Sequence, residues 1–211
     1  METDLGLRER KKRQTRQLIT DVATEQFARR GFDAVTVADI AQAVGVSTKT
    51  VFNYFPRKED LFFDRFANLV ELVTTTLRDR GGTPPLPALR AMFLDLLARR
   101  NPLSGYAEPD YAGFWRVVVE SPNLQARARE FVQELEDLIA DLLGEAAGTD
   151  PGGFRVRFTA AAVVSVYRTV FLTGARRITA GEDHTAVNAS LADLYTAGFA
   201  AIDRALAGLP A

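Results

Sequence analysis

Cysteine is absent from this chain of 211 residues, and His184 is the single histidine. The sequence therefore excludes disulfides, thiolate metal sites and cysteine nucleophiles, and it has no pair of histidines on one helix to bind a metal. It also lacks a glycine-rich phosphate loop. His184 stands in a polar segment, where a lone histidine is typical of a surface or capping residue. We expect no cofactor and no metal site, and we expect the protein not to be an enzyme.

Long apolar stretches are lacking as well. The longest nearly uninterrupted one, residues 160–167, is far shorter than the ~20 residues that a membrane-spanning helix needs. The basic N-terminal segment has no apolar core of the kind found in secretory leaders. A hydrophobic content of 47% is nevertheless sufficient for one or two compact cores. We expect a cytoplasmic protein that does not associate with membranes.

Neither sign of charge dominates, since the formal net charge is −1. Residues 1–60 hold 11 Lys and Arg against 9 Asp and Glu, whereas residues 61–211 hold 15 against 18. The local pattern is stronger, because six basic residues near the N-terminus are opposed only by Glu9. Such a run is either a solvated, frayed terminus or an arm that follows phosphates. The six are Arg8, Arg10, Lys11, Lys12, Arg13 and Arg16.

Residues 36–58 have the pattern of two short helices joined by a tight turn. Thr36 suits a helix N-cap, and Asp39 suits the positively polarised first turn that follows. Gly45 stands where a residue with positive φ ends the first helix, and Ser47 is the next cap. This order predicts a helix-turn-helix, whose second helix enters the major groove of DNA.

The second of these helices separates apolar from polar positions. Val51 and Phe55, four residues apart, predict its buried face, and we also place Phe52 in the core. Pro56 ends the helix. The polar groups of the helix come mainly from Thr48, Lys49, Thr50, Asn53 and Tyr54.

Three motifs in this order closely resemble the N-terminal module of the TetR/AcrR transcriptional regulators. They are a helix ending in FARRGF, then TVADIAQAVG, then GVSTKTVFNYFPRKEDL. The resemblance is strong over residues 13–66 and extends beyond them only in length and helical character. It implies a DNA-binding domain over residues 1–60 and an effector-binding and dimerisation domain over residues 61–211. Arg57 departs from the pattern, because the family usually has a small capping residue there.

Side chains at the front of a recognition helix read base edges, whereas cations and hydroxyls hold phosphates. Lys49 can donate to guanine, Asn53 can pair with adenine, and Thr48 suits thymine or a phosphate. These three are the candidates for reading bases. The resemblance implies contacts to the DNA backbone for several further positions. The backbone candidates are Thr36, Thr50, Tyr54, Lys58 and Arg13.

The rest of the chain is helical in pattern, with no strand-like alternation, and this predicts an all-α fold. The first helix runs from the basic segment to Arg30, and a fourth runs from residue 57 through residue 77. Residues 81–87, GGTPPLP, predict a linker. Further helices are expected over residues 88–100 and 111–120, from residue 121 to a break at 148–153, and over 154–179 and 184–208.

The resemblance implies that the C-terminal helices enclose a small-molecule effector of unknown identity. Arg168 interrupts the apolar run 160–172, where a buried charge would need a partner. Three interpretations of Arg168 stay open. It contacts an acidic or carbonyl-bearing effector, with or without Arg116, or it forms a salt bridge, or it is exposed on the edge of the helix. Aromatic residues at helical spacing also fit an ordinary core. The effector candidates are Phe93, Tyr111, Phe114, Trp115, Arg116, Tyr167, Arg168 and Phe171.

The last two helices predict a homodimer, because pairing with their symmetry mates would give a four-helix interface. The resemblance implies the same arrangement. Core packing inside a monomer is the alternative interpretation of the same apolar face. The interface candidates are Leu191, Leu194, Tyr195, Gly198, Phe199 and Ile202.

The sequence thus predicts a sequence-specific regulator of transcription. We expect a repressor that binds a pseudo-palindromic double-stranded DNA operator and is released by its effector. A ligand-responsive activator is one alternative. A protein that coats DNA without sequence preference is another, although it would not need an apolar C-terminal domain of this size.

Overall fold

The computed structural model describes residues 6–106, 113, 117–118 and 120–209. Over these residues the chain forms α-helices, one short 3₁₀ helix and loops, with no β-strand, so the all-α prediction is confirmed. Two compact units are present. The first holds the described residues up to 64 and those of 117–127, and the second holds the remainder. The first unit therefore extends four residues beyond the predicted boundary at residue 60 and gains a later segment of the chain.

The first unit contains four helices that follow one another along the chain, together with the beginning of a fifth helix. They are α1 (Leu7–Arg30), α2 (Val37–Val44), α3 (Thr48–Tyr54), α4 (Lys58–Phe62) and the first turns of α7 (Pro122–Ala147). The fully or almost fully buried side chains of this unit include Ile19, Phe27, Ile40, Val51, Phe55, Leu61 and Leu124.

The second unit consists of longer helices. These are α5 (Arg65–Arg78), α6 (Pro85–Ala98), a 3₁₀ helix (Pro102–Ser104), the rest of α7, α8 (Phe154–Thr179) and α9 (His184–Ala207). The helix expected over residues 111–120 lies mostly outside the described residues. Proline occupies the first position of both α6 and α7, where its missing N–H costs nothing. Pro85 therefore starts α6 three residues earlier than the linker pattern predicts.

The fourth helix is broken where the sequence predicts one continuous helix. The chain leaves helical geometry at Phe63 and Asp64, and α5 starts at Arg65. The Asp64 carboxylate accepts hydrogen bonds from Arg16 and, at 3.1 Å, from the Thr20 hydroxyl. Both donors belong to α1, so the break is held by contacts to a distant part of the chain that helical periodicity does not reveal.

The core of the second unit is centred on stacked aromatic rings. The Phe93 ring of α6 stacks on Tyr167 of α8 at 5.2 Å and on Tyr195 of α9 at 5.3 Å, measured between ring centroids. The Tyr195 hydroxyl donates to the Ser104 carbonyl at 2.8 Å. Gly105, which follows the 3₁₀ helix, packs closely against α8, because a Cβ at this position would lie only 2.9 Å from the Phe171 Cα. The aromatic cluster thereby joins three helices and the 3₁₀ loop.

Helix α8 is, among the described helices, the one long and apolar enough to cross a membrane by length and composition. One of its faces is instead buried in the second unit, through residues such as Ala160, Val163, Val164 and Val170. Core packing therefore accounts for its apolar composition.

The structure corrects most of the predicted dimer interface. Leu191, Tyr195, Phe199 and Ile202 are all at most 4% exposed within the protomer. Their apolar face packs on the unit's own core, because that is where Phe93 and α8 lie, and it cannot also contact a second copy. A Cβ on Gly198 would lie 2.7 Å from the Val166 side chain, so this glycine serves the α8–α9 contact. Leu194 remains as a candidate, since it is 39% exposed.

A largely buried ion pair fixes the beginning of α7 to α4 within the first unit. Arg127 Nε donates to the Asp60 carboxylate at 2.9 Å, and the two side chains are only 12% and 16% exposed. The other Asp60 oxygen accepts the Arg57 N–H at 3.2 Å. Arg57, which has no capping side chain of its own, thus has its N–H satisfied by Asp60 one turn later. Asp60 therefore both caps α4 and anchors α7.

We predict that Asp60→Ala lowers the free energy of unfolding by roughly 2 kcal/mol or more, because it leaves the Arg127 charge largely buried without its partner. Urea unfolding followed by circular dichroism measures the change. Asp95→Ala is the matched control, since Asp95 also pairs with an arginine, Arg99, but is 53% exposed. We expect its effect to stay below about 1 kcal/mol. Equal losses in the two variants would contradict the importance of the buried pair.

Candidate nucleic-acid interface

The start of α2 has the capping arrangement that the sequence predicts. The Asp39 N–H donates to the Thr36 hydroxyl at 3.1 Å, and the Thr36 N–H donates to the Asp39 carboxylate at 2.9 Å. The hydrogen bonds from Thr36 lower the pKa of the Asp39 carboxyl, and the Arg30 guanidinium nearby adds to the effect. This reciprocal pair determines where α2 begins.

The turn between α2 and α3 is short and held by backbone hydrogen bonds. Gly45 adopts left-handed geometry with φ of 77°, as predicted, and the Val46 N–H donates to the Ala41 carbonyl at 2.9 Å. Ser47 then caps α3, because its hydroxyl accepts the Thr50 N–H at 3.0 Å. Only three residues separate the two helices, so the direction of α3 is set by that of α2.

Helix α3 presents its predicted polar residues to solvent. Thr48, Lys49 and Asn53 are all exposed. Val51 and Phe55, at 0% and 1% exposure, form its buried side. All three candidates for reading bases are therefore accessible on one short helix.

Phe52 is a correction to the sequence analysis. We expected it in the core, but 47% of its surface is exposed. Its neighbours Val51 and Phe55 already occupy the buried side of a helix only seven residues long, which leaves Phe52 next to the polar residues. A phenyl ring at this position can contact a thymine methyl group. Phe52 is three residues from Phe55 but directly follows Val51, so helical spacing alone did not decide its position.

The candidates for contacts to the DNA backbone differ in their availability. Arg13 and Thr36 are exposed, whereas Thr50 and Tyr54 are half-buried. The Thr50 hydroxyl lies 2.8 Å from that of Ser47, so the N-cap engages it already. Arg13 lies on α1, which is helical from Leu7 onward, and the basic run is therefore part of a helix instead of a frayed arm.

Lys58 lies at the first position of α4 over an aromatic surface. Its Nζ is 4.1 Å from the centroid of the Phe32 ring and 6.0 Å from that of Phe27. Burial lowers the pKa of Lys58, although Asp33 and Glu59 oppose this by attraction. A cation–π contact of this kind holds the ammonium group in one place before any phosphate binds.

Arg16 is a residue whose role the sequence does not reveal. Its guanidinium donates to the Tyr54 carbonyl at 3.2 Å, forms an ion pair with Asp64 and lies 4.3 Å from the centroid of the Phe55 ring. One side chain of α1 therefore joins the C-terminal end of α3 to the break between α4 and α5. No spacing rule pairs residues so far apart in sequence, and the basic run around Arg16 makes it look like a phosphate contact.

The effector candidates fall into three groups. Tyr111, Phe114, Trp115 and Arg116 lie outside the described residues. Arg168 is exposed, so no buried charge interrupts the apolar face of α8. The candidates that the structure brings together are Phe93, Tyr167 and Phe171, with the Tyr167 and Phe171 ring centroids 5.6 Å apart.

The Tyr167 hydroxyl is the polar group in this cluster without a hydrogen-bond partner. The residue is only 4% exposed, and its oxygen has no donor or acceptor within reach among the described residues. Burial raises the pKa of this phenol well above its usual value. A buried unsatisfied hydroxyl is costly, and a ligand that hydrogen-bonds to it would remove that cost.

The described part of the chain contains no group of three or more His, Cys, Asp or Glu residues placed to hold an ion.

Comparisons with known proteins match both units. The model of the family described as bacterial regulatory proteins, tetR family, matches residues 19–64. The model described as the MftR C-terminal domain matches residues 83–207. The first match contains α2, the turn and α3, and the second contains most of the second unit.

Relatives in sequence and structure agree with these matches. The HTH-type transcriptional regulator TcmR of Streptomyces glaucescens is 32% identical over 169 residues, which are 78% of this chain and 75% of TcmR. The HTH-type transcriptional regulator LuxR of Vibrio harveyi is 42% identical over 86 residues, which are 41% of this chain and 37% of LuxR. NalD, the secondary repressor of the MexAB-OprM multidrug efflux pump in Pseudomonas aeruginosa, has the same fold, with a TM-score of 0.54 and 21% identity over 88% of this chain and 97% of NalD. The capped helix-turn-helix, the two matching family models and the extended alignment with TcmR together show that this chain belongs to the TetR family of helix-turn-helix transcriptional regulators.

Proposed function

We propose that this protein is a repressor that binds a pseudo-palindromic DNA operator as a homodimer and leaves it when a small-molecule effector binds. The observation that carries the proposal is the exposed polar surface of α3, formed by Thr48, Lys49 and Asn53. Because caps and a three-residue turn fix α3, these side chains are presented without a large loss of conformational freedom on binding.

Each of the three side chains has a distinct part in reading bases. The Lys49 ammonium donates to the O6 and N7 acceptors of guanine, and the Asn53 amide pairs with the N6 and N7 atoms of adenine. Thr48, at the first position of α3, offers a methyl group to thymine or its hydroxyl to a phosphate. Phe52 adds an apolar surface beside them.

Contacts to phosphates set the position of the protein without reading sequence. Lys58 is placed for this task by its stacking on Phe32, and Arg13 adds charge from α1. Thr36, Thr50 and Tyr54 supply hydroxyl groups. Two-fold symmetry of the homodimer implies the symmetry of the operator.

We predict that Lys49→Ala weakens binding to the operator about 10- to 100-fold while changing binding to random DNA much less, because it removes a base contact worth about 1–3 kcal/mol. Lys58→Met keeps an apolar chain over Phe32 but removes the charge. It should weaken binding to all DNA and reduce the slope of log K against log salt by about one. Fluorescence anisotropy over a salt series measures both effects.

Arg29→Ala is the control for this pair of variants, since Arg29 is an exposed cation on α1 that already pairs with Glu25 at 2.7 Å. We expect it to leave both affinities nearly unchanged. The assignment of roles fails if Lys49→Ala and Lys58→Met weaken operator and random DNA to the same degree.

The test of the regulator itself compares DNA from upstream of the protein's own coding region with scrambled DNA, in the presence of competitor. Tighter binding to the upstream DNA supports sequence-specific recognition. If a selection from genomic fragments also finds no preferred site, the protein coats DNA without sequence preference. Transcription from a promoter carrying the site then separates a repressor from a ligand-responsive activator.

For the effector, we propose a mostly apolar molecule with a polar group that hydrogen-bonds to Tyr167. Phe93 and Phe171 supply aromatic surface next to the Tyr167 ring. A ligand that satisfies the hydroxyl stabilises the arrangement that accommodates it, and DNA release requires only that this arrangement binds DNA less well. Arg168 is omitted from the proposed contacts, because its exposed charge needs no ligand.

We predict that Tyr167→Phe leaves the ligand-free protein equally stable or raises its free energy of unfolding by about 1 kcal/mol, because the variant removes an unsatisfied hydroxyl. Tyr195→Phe, the same change two rings away, should lower it by about 1 kcal/mol, since it breaks the hydrogen bond to Ser104. Urea unfolding compares the two. A loss of stability in Tyr167→Phe would show that its hydroxyl already has a partner and is not available to an effector.

We retain α8 and α9 as the helices that form the homodimer, on their outward surfaces. The side chains available there include Leu194, whereas the four buried members of the predicted set stabilise the protomer. Sedimentation velocity at several protein concentrations tests whether the protein is a dimer.

A further inference from the structure

We infer that Asp64 is a positioning residue for DNA recognition, which acts on α3 through the side chain of Arg16. This role rests on the proposed function, because it concerns the contacts that hold the base-reading surface of α3 at its C-terminal end. Both residues belong to the first unit.

The C-terminal end of α3 has no cap from its own part of the sequence. The Phe55 N–H donates to the Val51 carbonyl at 2.9 Å, but the later carbonyls of a helix have no donor within it. Pro56 follows and has no N–H to offer. Arg16 supplies a donor from α1, 3.2 Å from the Tyr54 carbonyl, and its positive charge suits this end of a helix. Helix α3 is thus held locally at its start and by a distant side chain at its end.

The Asp64 carboxylate determines where the Arg16 guanidinium lies. One carboxylate oxygen pairs with Arg16, and the Thr20 hydroxyl lies 3.1 Å from the other. Asp64 is the more buried partner, since 18% of its side chain is exposed against 37% for Arg16. The planar guanidinium lies over the Phe55 ring, while its N–H groups bond to Asp64 and to the Tyr54 carbonyl. Without the carboxylate, a long and flexible side chain keeps only the weaker contacts to the ring and the carbonyl.

Small changes in the direction of α3 are sufficient to disturb base reading. Seven residues form a helix about 10 Å long, so a tilt of about 10° moves one end by about 2 Å. Hydrogen bonds to base edges need positions correct to about 0.5 Å, whereas a flexible lysine follows a displaced phosphate. Asn53 directly precedes Tyr54, so its contact to adenine is close to the point that Arg16 holds. Loss of the Arg16 contact therefore weakens base reading more than phosphate binding.

Removal of the Asp64 charge separates this role from general electrostatics. If charge alone matters, loss of an acidic group from a DNA-binding unit raises the affinity for all DNA. Positioning predicts the opposite sign for the operator. We expect Asp64→Asn to weaken operator binding about tenfold, as for the loss of one base contact. Binding to random DNA should stay unchanged or become up to about threefold tighter.

Fluorescence anisotropy of the full chain measures both affinities. The operator probe is the preferred fragment from the upstream or genomic comparison, and the random probe is a scrambled duplex of the same length. Glu25→Gln is the matched control, since it removes the same charge from an exposed position on α1 of the same unit. Its ratio of operator to random affinity should equal that of the original protein.

A second variant tests the path through Arg16. Arg16→Lys keeps the positive charge but loses the planar fork, so it should lower the affinity ratio about as much as Asp64→Asn. Because both changes act through one contact, the double variant should be no worse than the more affected single variant.

Circular dichroism checks that each variant keeps its helix content. If Asp64→Asn does not, Thr20→Val replaces it, because this change removes one contact to the carboxylate and leaves the charge of Asp64 in place. We expect Thr20→Val to weaken operator binding about threefold, without an effect on random DNA.

The positioning role is overturned if a folded Asp64→Asn binds the operator at least as tightly as the original, or weakens both DNAs equally. It is also overturned if the losses of the two single variants add in the double variant, or if Thr20→Val, used in its place, leaves the ratio unchanged. In each case the original protein still prefers its operator, and the proposed function stands. An original protein without any preferred fragment would instead contradict the proposed function.

Discussion

The recognition helix is held in place by the side chain of Arg16. This residue donates to the carbonyl of Tyr54 at the end of α3, pairs with Asp64 and stacks on Phe55. A helix of seven residues is too short to be stable alone, so its position depends on such contacts to α1. The break between α4 and α5 depends on the same side chain, since Asp64 is its partner.

The two units use buried polar groups differently. In the first unit, Asp60 is satisfied twice, by the Arg57 N–H and by Arg127, and this joins α4 to the start of α7. In the second unit, the Tyr195 hydroxyl is satisfied by Ser104, whereas that of Tyr167 is not. A fully satisfied group gives rigidity to a unit that must present α3 in one orientation. A buried group without a partner is costly, and it is the group to which the proposed effector would bind.

Local patterns in the sequence were sufficient to predict the helix-turn-helix. Thr36, Gly45 and Ser47 act through residues at most five positions away, so the caps and the turn could be predicted. Long-range contacts could not be predicted in this way. Arg16 pairs with Asp64, and Asp60 pairs with Arg127, and only the fold brings these residues together. The apolar face of α9 shows a second limit, because periodicity identifies a buried face but does not distinguish a protomer core from an interface. Phe52 shows a third limit: an aromatic side chain favours burial, but Val51 and Phe55 already fill the buried side of α3.

The exposed ring of Phe52 has a thermodynamic consequence for recognition. Phosphate contacts release counterions, and their contribution weakens as salt increases. Removal of an aromatic ring from water instead contributes to the binding free energy through the hydrophobic effect, and it gives binding a negative change in heat capacity. If the DNA covers this ring when α3 enters the major groove, operator binding has a component that persists at high salt and strengthens on warming from low temperature. Calorimetry at several temperatures would then distinguish a fully inserted helix from a protein attached only to the DNA backbone.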